Sequence, residues 1–334
     1  MPDEHESIRA GLESALRRRT ATEIEVSDLN LHSGGASAQT WSFRTHGGAE
    51  PHALILRRAH HGKPVGLGKQ TEARIQQAAF EAGVPTPEVY FTLEAHDGLG
   101  EGYVMAAVEG ETIPRRILRD ELYAGARPVM AGQCGEILQK IHAVDPSNLG
   151  DLRCESTPQR LETLCARFDS YEQRLPVFEV AFRWLSDHLP AERKPVLLHG
   201  DFRNGNLIVG HDGIRAVIDW ELAHIGDPLE DLGWLCVNSW RFGNIDQPVG
   251  GFGDRETLFT AYEAAGGTSV DPQDVRFWEV FGSLNWGVIC LAQAFTHLSG
   301  AKRSVEHAAI GRRVSETEID LLQLIDERAL GGAL

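Results

Sequence analysis

The sequence predicts an α+β fold of two lobes: a small lobe of antiparallel strands with one long helix, followed by a larger, mainly helical one. Three observations predict it. Between residues 24 and 108, short apolar runs alternate with turn residues, interrupted by one long stretch of helical spacing. From Ile113 onward the apolar residues recur mostly at helical intervals. Inside that second half, Pro195–Leu232 forms a β-rich island that concentrates polar side chains unsuited to a core.

The chain has 334 residues, enough for two lobes around sizeable cores. Its formal net charge of −16 repels nucleic acid and anionic membranes in general, so neither is expected as a partner. A nucleotide would need a local cationic pocket. The five cysteines (Cys134, Cys154, Cys165, Cys236 and Cys290) are scattered, with no Cys-x-x-Cys pair. This predicts a reducing cytoplasm, without structural zinc or a disulfide framework. No apolar run approaches membrane-spanning length, and the first 19 residues lack a signal-peptide core.

Ser7–Arg19 has helical spacing, with Ile8, Leu12, Ala15 and Leu16 on one face. Arg17, Arg18 and Arg19 fall near its C-terminus, where the helix dipole favours cations. Ile24–Leu31 and Gln39–Arg44 read as strands joined through His32-Ser-Gly-Gly-Ala-Ser37. A Gly-rich turn can fold over phosphates because its backbone N–H groups approach them closely, and a plain hairpin turn has the same composition. Pro51–Arg58 is the next strand, with Ala53, Ile55 and Arg57 on one face. Gly68–Ala82 is a helix stopped by Gly83 and Pro85, and it carries Glu72. Glu88–Leu93 and Gly102–Val108 are two further strands about the turn His96-Asp97-Gly98. Helices follow at Pro128–Val144, Pro158–Ser170 and Val177–Leu189. After the island come a helix opened by Asp227 as N-cap, a long apolar helix at Phe277–Leu298 and a closing amphipathic helix at Ser304–Leu330.

Within the island, Leu207–Val209 and Ala216–Ile218 are apolar runs separated by Gly210-His211-Asp212-Gly213, a turn by composition. A hairpin formed from them brings Asn206, at the start of the first strand, beside Asp219, at the end of the second. Asp201 lies one loop away. Two carboxylates and an amide converging at an open edge suit Mg²⁺, which takes one or two carboxylates and shares its other positions with phosphate and water. Asp201 is then free to orient a hydroxyl and accept its proton, the arrangement used in phosphoryl transfer to an alcohol.

His199-Gly-Asp-x-x-x-x-Asn206, followed by Ile218-Asp-Trp-Glu221, resembles the aminoglycoside phosphotransferase and choline kinase group of small-molecule kinases. The run from Asp219 to Leu232 resembles most the branch of kinase-like domains fused to acyl-CoA dehydrogenases. The resemblance implies a bilobal protein-kinase-like fold, with a nucleotide-binding lobe over residues 1–108 and a catalytic and acceptor-binding lobe over 109–334. It implies ATP as phosphoryl donor (GTP not excluded), Mg²⁺, and a small-molecule hydroxyl acceptor. By the same match, Gly34, Gly35 and Ser37 cover the phosphates. Arg57 stands where the family usually has Lys, and Glu72 is its helix partner. Met105 lines the adenine pocket, with Ala106 and Val108 offering backbone hydrogen bonds. Asp201 is the base, Asn206 and Asp219 hold the metal, and His199 and Asp231 support the loop. Glu221, Trp240 and Arg241 are candidate acceptor contacts. The acceptor class that fits this branch is a hydroxylated acyl thioester or related metabolite rather than an aminoglycoside. The rival readings are a nucleotide-binding pseudokinase, prompted by Arg57, and a metal-dependent phosphohydrolase built on the same carboxylates.

Overall fold

A computed structural model describes residues 4–32, 38–47, 52–59 and 66–326. Gly34, Gly35 and Ser37 therefore lie outside the described residues. The first helix, α1 (Glu4–Thr20), buries the face formed by Ile8, Leu12, Ala15 and Leu16. It precedes β1 (Glu25–His32), β2 (Ala38–His46) and β3 (His52–Ala59), then α2 (Lys69–Glu81), β4 (Val89–Thr92) and β5 (Gly102–Ala106). The strands form one antiparallel sheet in the order β1-β2-β3-β5-β4. Alternation along β3 decides what each face does. Leu54 and Leu56 pack with Ile8, Leu12 and Leu16 of α1. Ile55 points to the opposite face, packing with Ala73 of α2 and with Tyr103 and Met105 of β5. Arg57 shares that second face, and the register therefore turns its guanidinium towards α2.

The C-terminus of α1 is pinned to this sheet. Arg19 donates to Asp97 Oδ2 at 3.0 Å and to the Thr92 carbonyl at 3.1 Å, and Arg18 also pairs with Asp97. The basic cluster thus does more than complement a helix dipole: it neutralises a carboxylate that is only 5 % exposed. Burial alone would raise the Asp97 carboxyl. Hydrogen bonds from Arg19, the Glu94 backbone N–H and Arg18 outweigh it and hold the group below its usual range. A depressed folded-state value means that the carboxylate stabilises the fold at neutral pH, a contribution lost as the pH falls below about 4. Asp97→Asn is expected to lower stability by about 2 kcal/mol at pH 7. Thermal melts over a pH series should show the gap to wild type narrowing below about pH 4.

The helical part contains α3 (Pro114–Arg119), α4 (Arg127–His142), α5 (Thr157–Asp169) and α6 (Pro176–Asp187) ahead of the island. The island itself contributes β6 (Val196–Leu198), β7 (Leu207–Gly210), β8 (Gly213–Val217) and β9 (His224–Gly226). β7 and β8 form the expected hairpin, and β6 pairs with β9. After it come α7 (Leu229–Cys236), α8 (Arg255–Ala264) and the long α9 (Pro272–Leu298). The closing helix is a correction: it is two helices, α10 (Val305–Gly311) and α11 (Val314–Ile325). Both pack on α9, which is why one amphipathic pattern runs through both. At the junction Gly311 sits so close to α9 that a Cβ would lie 2.7 Å from the Ala294 Cβ. The N-cap of α7 is Pro228, one residue beyond the expected Asp227, whose Oδ1 still accepts from the Leu229 N–H at 2.9 Å. The cysteines are all free. Among the described residues, no helix is long and apolar enough to cross a membrane.

Candidate active site

The site is assembled by the β6 exit loop and the β7–β8 hairpin. Leu207 pairs with Val217, and the Ile218 N–H donates to the Asn206 carbonyl at 3.0 Å. Asp219, the next residue, therefore emerges beside Asn206. Its φ of 74° is in the left-handed region, which Asp tolerates better than most residues. Gly200, with φ of 77°, turns the chain out of β6 where a Cβ would lie 2.3 Å from the Leu222 carbonyl oxygen. The structure thus brings Asp201, Asn206 and Asp219 to one end of the island.

Asp201 is held from three directions. Asn206 Nδ2 donates to Oδ2 at 2.6 Å, while Arg203 Nε and Trp234 Nε1 each donate to Oδ1 at 2.9 Å. Sequence reasoning missed Arg203 and Trp234. The available signals were Arg203's place in the same loop and Trp234's place one helical turn beyond Asp231. A carboxylate offers about four lone-pair directions. Oδ1 is occupied by two donors, so Oδ2 retains a direction for an incoming hydroxyl.

The loop is fastened from below. Asp231 is fully buried and accepts the backbone N–H groups of His199 and Gly200 at 2.8 and 2.9 Å. Burial would raise its carboxyl, but the hydrogen bond from His142 (3.3 Å) and the neighbouring imidazoles and N–H groups hold it below its ordinary value. His142, expected as core packing, is buried as expected and also links Asp231 to Tyr262. His199 Nε2 donates to the Ile218 carbonyl at 3.2 Å, and its Nδ1 accepts from the Asp201 N–H at 3.2 Å. One neutral ring thus joins the loop before Asp201 to the residue before Asp219. Burial depresses its pKa and favours that neutral form.

Opposite stands a cluster of five charged groups. Arg57 Nε lies 2.6 Å from Glu72 Oε1, and its Nη2 pairs with Asp219 and with Glu221 Oε2 at 3.1 Å. Lys69, almost completely buried, pairs with Glu72 and lies 3.7 Å from Glu221. Tyr103 Oη donates to Glu72 Oε1 at 2.9 Å. Burial would lower the Arg57 pKa, but Asp219 and Glu72 raise it further, so the guanidinium stays charged. Lys69 is the second cation that the sequence reading missed. Its signal was position: three residues before Glu72, in the first turn of the same helix.

The remaining candidates divide. Met105 is buried on β5, with its sulfur 3.3 Å from Gln76 Nε2. The Ala106 N–H donates to the Glu88 carbonyl at 2.9 Å, and Val108 lies beyond the end of β5. Glu221 faces Arg57 and Lys69 rather than Asp201. Trp240 lies under Arg203, whose guanidinium carbon is 4.6 Å from the ring centre. Arg241 turns away. It pairs with Glu279 at 2.7 Å and lines a separate cavity of about 1000 Å³ with Arg255, Phe259 and Arg276.

The donor set fits a hard divalent cation. Asp219 would supply a carboxylate, and because the Asn206 amide nitrogen is engaged by Asp201, its amide oxygen is the atom that would face a cation. Arg57 and Lys69 place two cations beside that carboxylate, each already paired with Glu72 and Glu221, in a chain of net charge −16.

Comparison with known proteins gives this geometry its context. Residues 28–268 match the model of the phosphotransferase enzyme family. The chain is 30 % identical over 197 residues to acyl-CoA dehydrogenase family member 10 of Mus musculus, covering 55 % of this chain and 18 % of that protein. It is 30 % identical over 220 residues to acyl-CoA dehydrogenase family member 11 of Gallus gallus, covering 62 % and 27 %. The matched region is therefore about a quarter or less of these relatives' length. Among solved structures, a protein of Ralstonia eutropha JMP134 classed as an aminoglycoside phosphotransferase superposes with a TM-score of 0.77 at 20 % identity, covering 95 % of this chain and 98 % of that one. The aminoglycoside phosphotransferase APH(4)-Ia, solved as a mutant in ternary complex with AMP-PNP and hygromycin B, superposes with a TM-score of 0.59 at 18 % identity, covering 97 % and 99 %. With a family match over most of its length and these structural likenesses, the chain belongs to the phosphotransferase enzyme family and has the α+β fold of the protein-kinase-like aminoglycoside phosphotransferases.

Proposed function

We propose that this protein transfers the γ-phosphoryl group of ATP to a hydroxyl of a small molecule. The observation that carries the reading is Asp201, oriented by three donors on one side of a hairpin end whose other side presents Asp219 to Arg57. Asp201 Oδ2 orients the acceptor hydroxyl and takes its proton as the new P–O bond forms. Asn206 and Asp219 hold Mg²⁺, which supplies charge neutralisation at the transferring group. Arg57, set by Glu72, contacts the donor phosphates with a planar fork where a lysine would offer a point charge. Met105, with the backbone at Ala106 and Val108, frames the adenine. The lobe boundary falls between Val108 and Glu109. Positioning and charge neutralisation are the main sources of rate.

The kinship with parts of acyl-CoA dehydrogenase family members favours a hydroxylated acyl thioester or a related metabolite as acceptor, in the cytoplasm. The test is an ATP-consumption screen with Mg²⁺ across hydroxyacyl-CoA compounds, other alcohol-bearing metabolites and aminoglycosides. The expected result is ADP formed in step with a phosphorylated alcohol, lost when the divalent ion is chelated. ATP binding without turnover would establish a pseudokinase instead. Release of phosphate from esters without ATP would establish a phosphohydrolase.

A further inference from the structure

The charged cluster opposite Asp201 divides its hydrogen bonds differently from its ion pairs. Arg57 Nε lies 2.6 Å from Glu72 Oε1, yet its N–H does not point there, and this buried nitrogen has no hydrogen-bond acceptor among the described residues. Glu72 takes its hydrogen bonds from other groups. Lys69 Nζ donates to its Oε2, and Tyr103 Oη donates to its Oε1 at 2.9 Å. Arg57 Nη2 instead donates to Asp219 Oδ1 and to Glu221 Oε2, the latter at 3.1 Å. Lys69 is therefore the cation bonded to the helix carboxylate. Arg57 is the cation bonded to the carboxylate that would hold the metal.

This division has a consequence for metal entry. A carboxylate oxygen bonded to a guanidinium offers an ion fewer lone pairs, and the fixed positive charge repels the ion. Arg57 and a divalent ion thus compete for Asp219. The neighbours are arranged so that Arg57 can leave. Glu72, with no exposed side-chain surface, would keep Lys69 and Tyr103. Glu221 would keep Lys69, 3.7 Å away. Asp219 is the most open of the three carboxylates, so the group that Arg57 would vacate is the one an ion can reach. The unmatched Nε also marks the present position of Arg57 as incompletely satisfied, because a buried donor without an acceptor is unfavourable.

We propose that Arg57 is the exchangeable counter-ion of Asp219. It holds that carboxylate while the site is empty and turns to the donor phosphates when a divalent ion replaces it. Lys69 is the positioning residue that keeps Glu72 and Glu221 neutralised through the exchange. The proposal rests on the kinase reading, which supplies the metal and the nucleotide, and adds their coupling. An ion alone must expel Arg57, and a nucleotide alone must strip it from Asp219, so the two bind best together.

The probe is Mn²⁺, a hard divalent ion whose free concentration is read by electron paramagnetic resonance without turnover. Asp219→Asn defines binding elsewhere on the acidic chain. In the nucleotide-free protein, Arg57→Gln should bind Mn²⁺ at least tenfold more tightly than wild type, because the competitor is gone. The same variant should bind ADP with Mg²⁺ at least tenfold more weakly, because the phosphates lose a cation. A role in packing alone would weaken both. Lys69→Met removes a charge of the same sign that makes no hydrogen bond to Asp219, and should tighten Mn²⁺ binding less than threefold. Equal tightening in the two variants would reduce the effect to the loss of a nearby charge and overturn the proposal. Arg57→Lys keeps the charge and loses the fork, and should bind Mn²⁺ about threefold more tightly than wild type. It decides the matter if Arg57→Gln does not fold, with wild-type affinity counting against the proposal. Equal Mn²⁺ affinity in wild type and a folded Arg57→Gln protein overturns the proposal and leaves the kinase reading standing. No Mn²⁺ bound above the Asp219→Asn level in any variant, with or without ADP, overturns both.

Discussion

Replacing Asp201 by asparagine is expected to lower kcat about 10²–10⁴-fold, the range over which a positioned proton acceptor contributes. The substitution is nearly isosteric. A side-chain oxygen at the Oδ1 position can still accept from Arg203 and Trp234, as it does now. At the Oδ2 position, however, the new amide nitrogen would confront the Asn206 amide nitrogen that currently donates there at 2.6 Å. The group that receives the hydroxyl proton is removed and the remaining direction on Oδ2 becomes a donor. Nucleotide affinity should stay within a factor of about two, because Arg57 and Lys69 hold their charge through Glu72, Asp219 and Glu221 rather than through Asp201. Steady-state kinetics beside nucleotide titration separates the two effects. Turnover within tenfold of wild type would remove Asp201 from the chemistry.

Arg57→Met is expected to have the larger effect on stability, about 3–5 kcal/mol, because it strands a buried charge. Glu72 has no exposed side-chain surface, while Glu221 and Asp219 are 16 % and 29 % exposed. Lys69 remains to neutralise Glu72 but cannot replace a fork that meets three carboxylates. Activity should fall more than a hundredfold where the variant remains folded. Arg57→Lys restores the charge without the fork. It should recover most of the stability and bring kcat/KM to within about tenfold of wild type, since 1.36 kcal/mol corresponds to one factor of ten. Denaturant titration and kinetics on both variants check this. A stable, active Arg57→Met protein would reduce the cluster to incidental packing.

Much of this architecture is legible in local pattern. The helical face of α1, the alternation along β3 and the turn Gly210–Gly213 each write their geometry into a dozen residues or fewer, and the structure follows them. The approach of Asp201, Asn206 and Asp219 follows from one hairpin, a contact of short range in the chain. What escaped depends on contacts between distant segments. Arg18 and Arg19 meet Asp97 across almost eighty residues, and no periodicity encodes that pairing. Lys69 reads as an ordinary solvated residue in the first turn of a helix until Glu72 and Glu221 enclose it. Trp234 reads as core until its indole nitrogen is found on Asp201. The α10–α11 break was hidden because one packing partner, α9, imposes the same apolar stripe on both helices.

The left-handed backbone at residue 219 has an evolutionary consequence. A descendant that abandoned phosphoryl transfer would be released at position 201, where the φ angle does not lie in that region. At 219 the chain would still have to make its turn, and only glycine, asparagine or aspartate do so cheaply. Retired copies of this protein should therefore drift widely at the first position and stay confined to three letters at the second. Sequence variation alone would then separate working members of the lineage from retired ones.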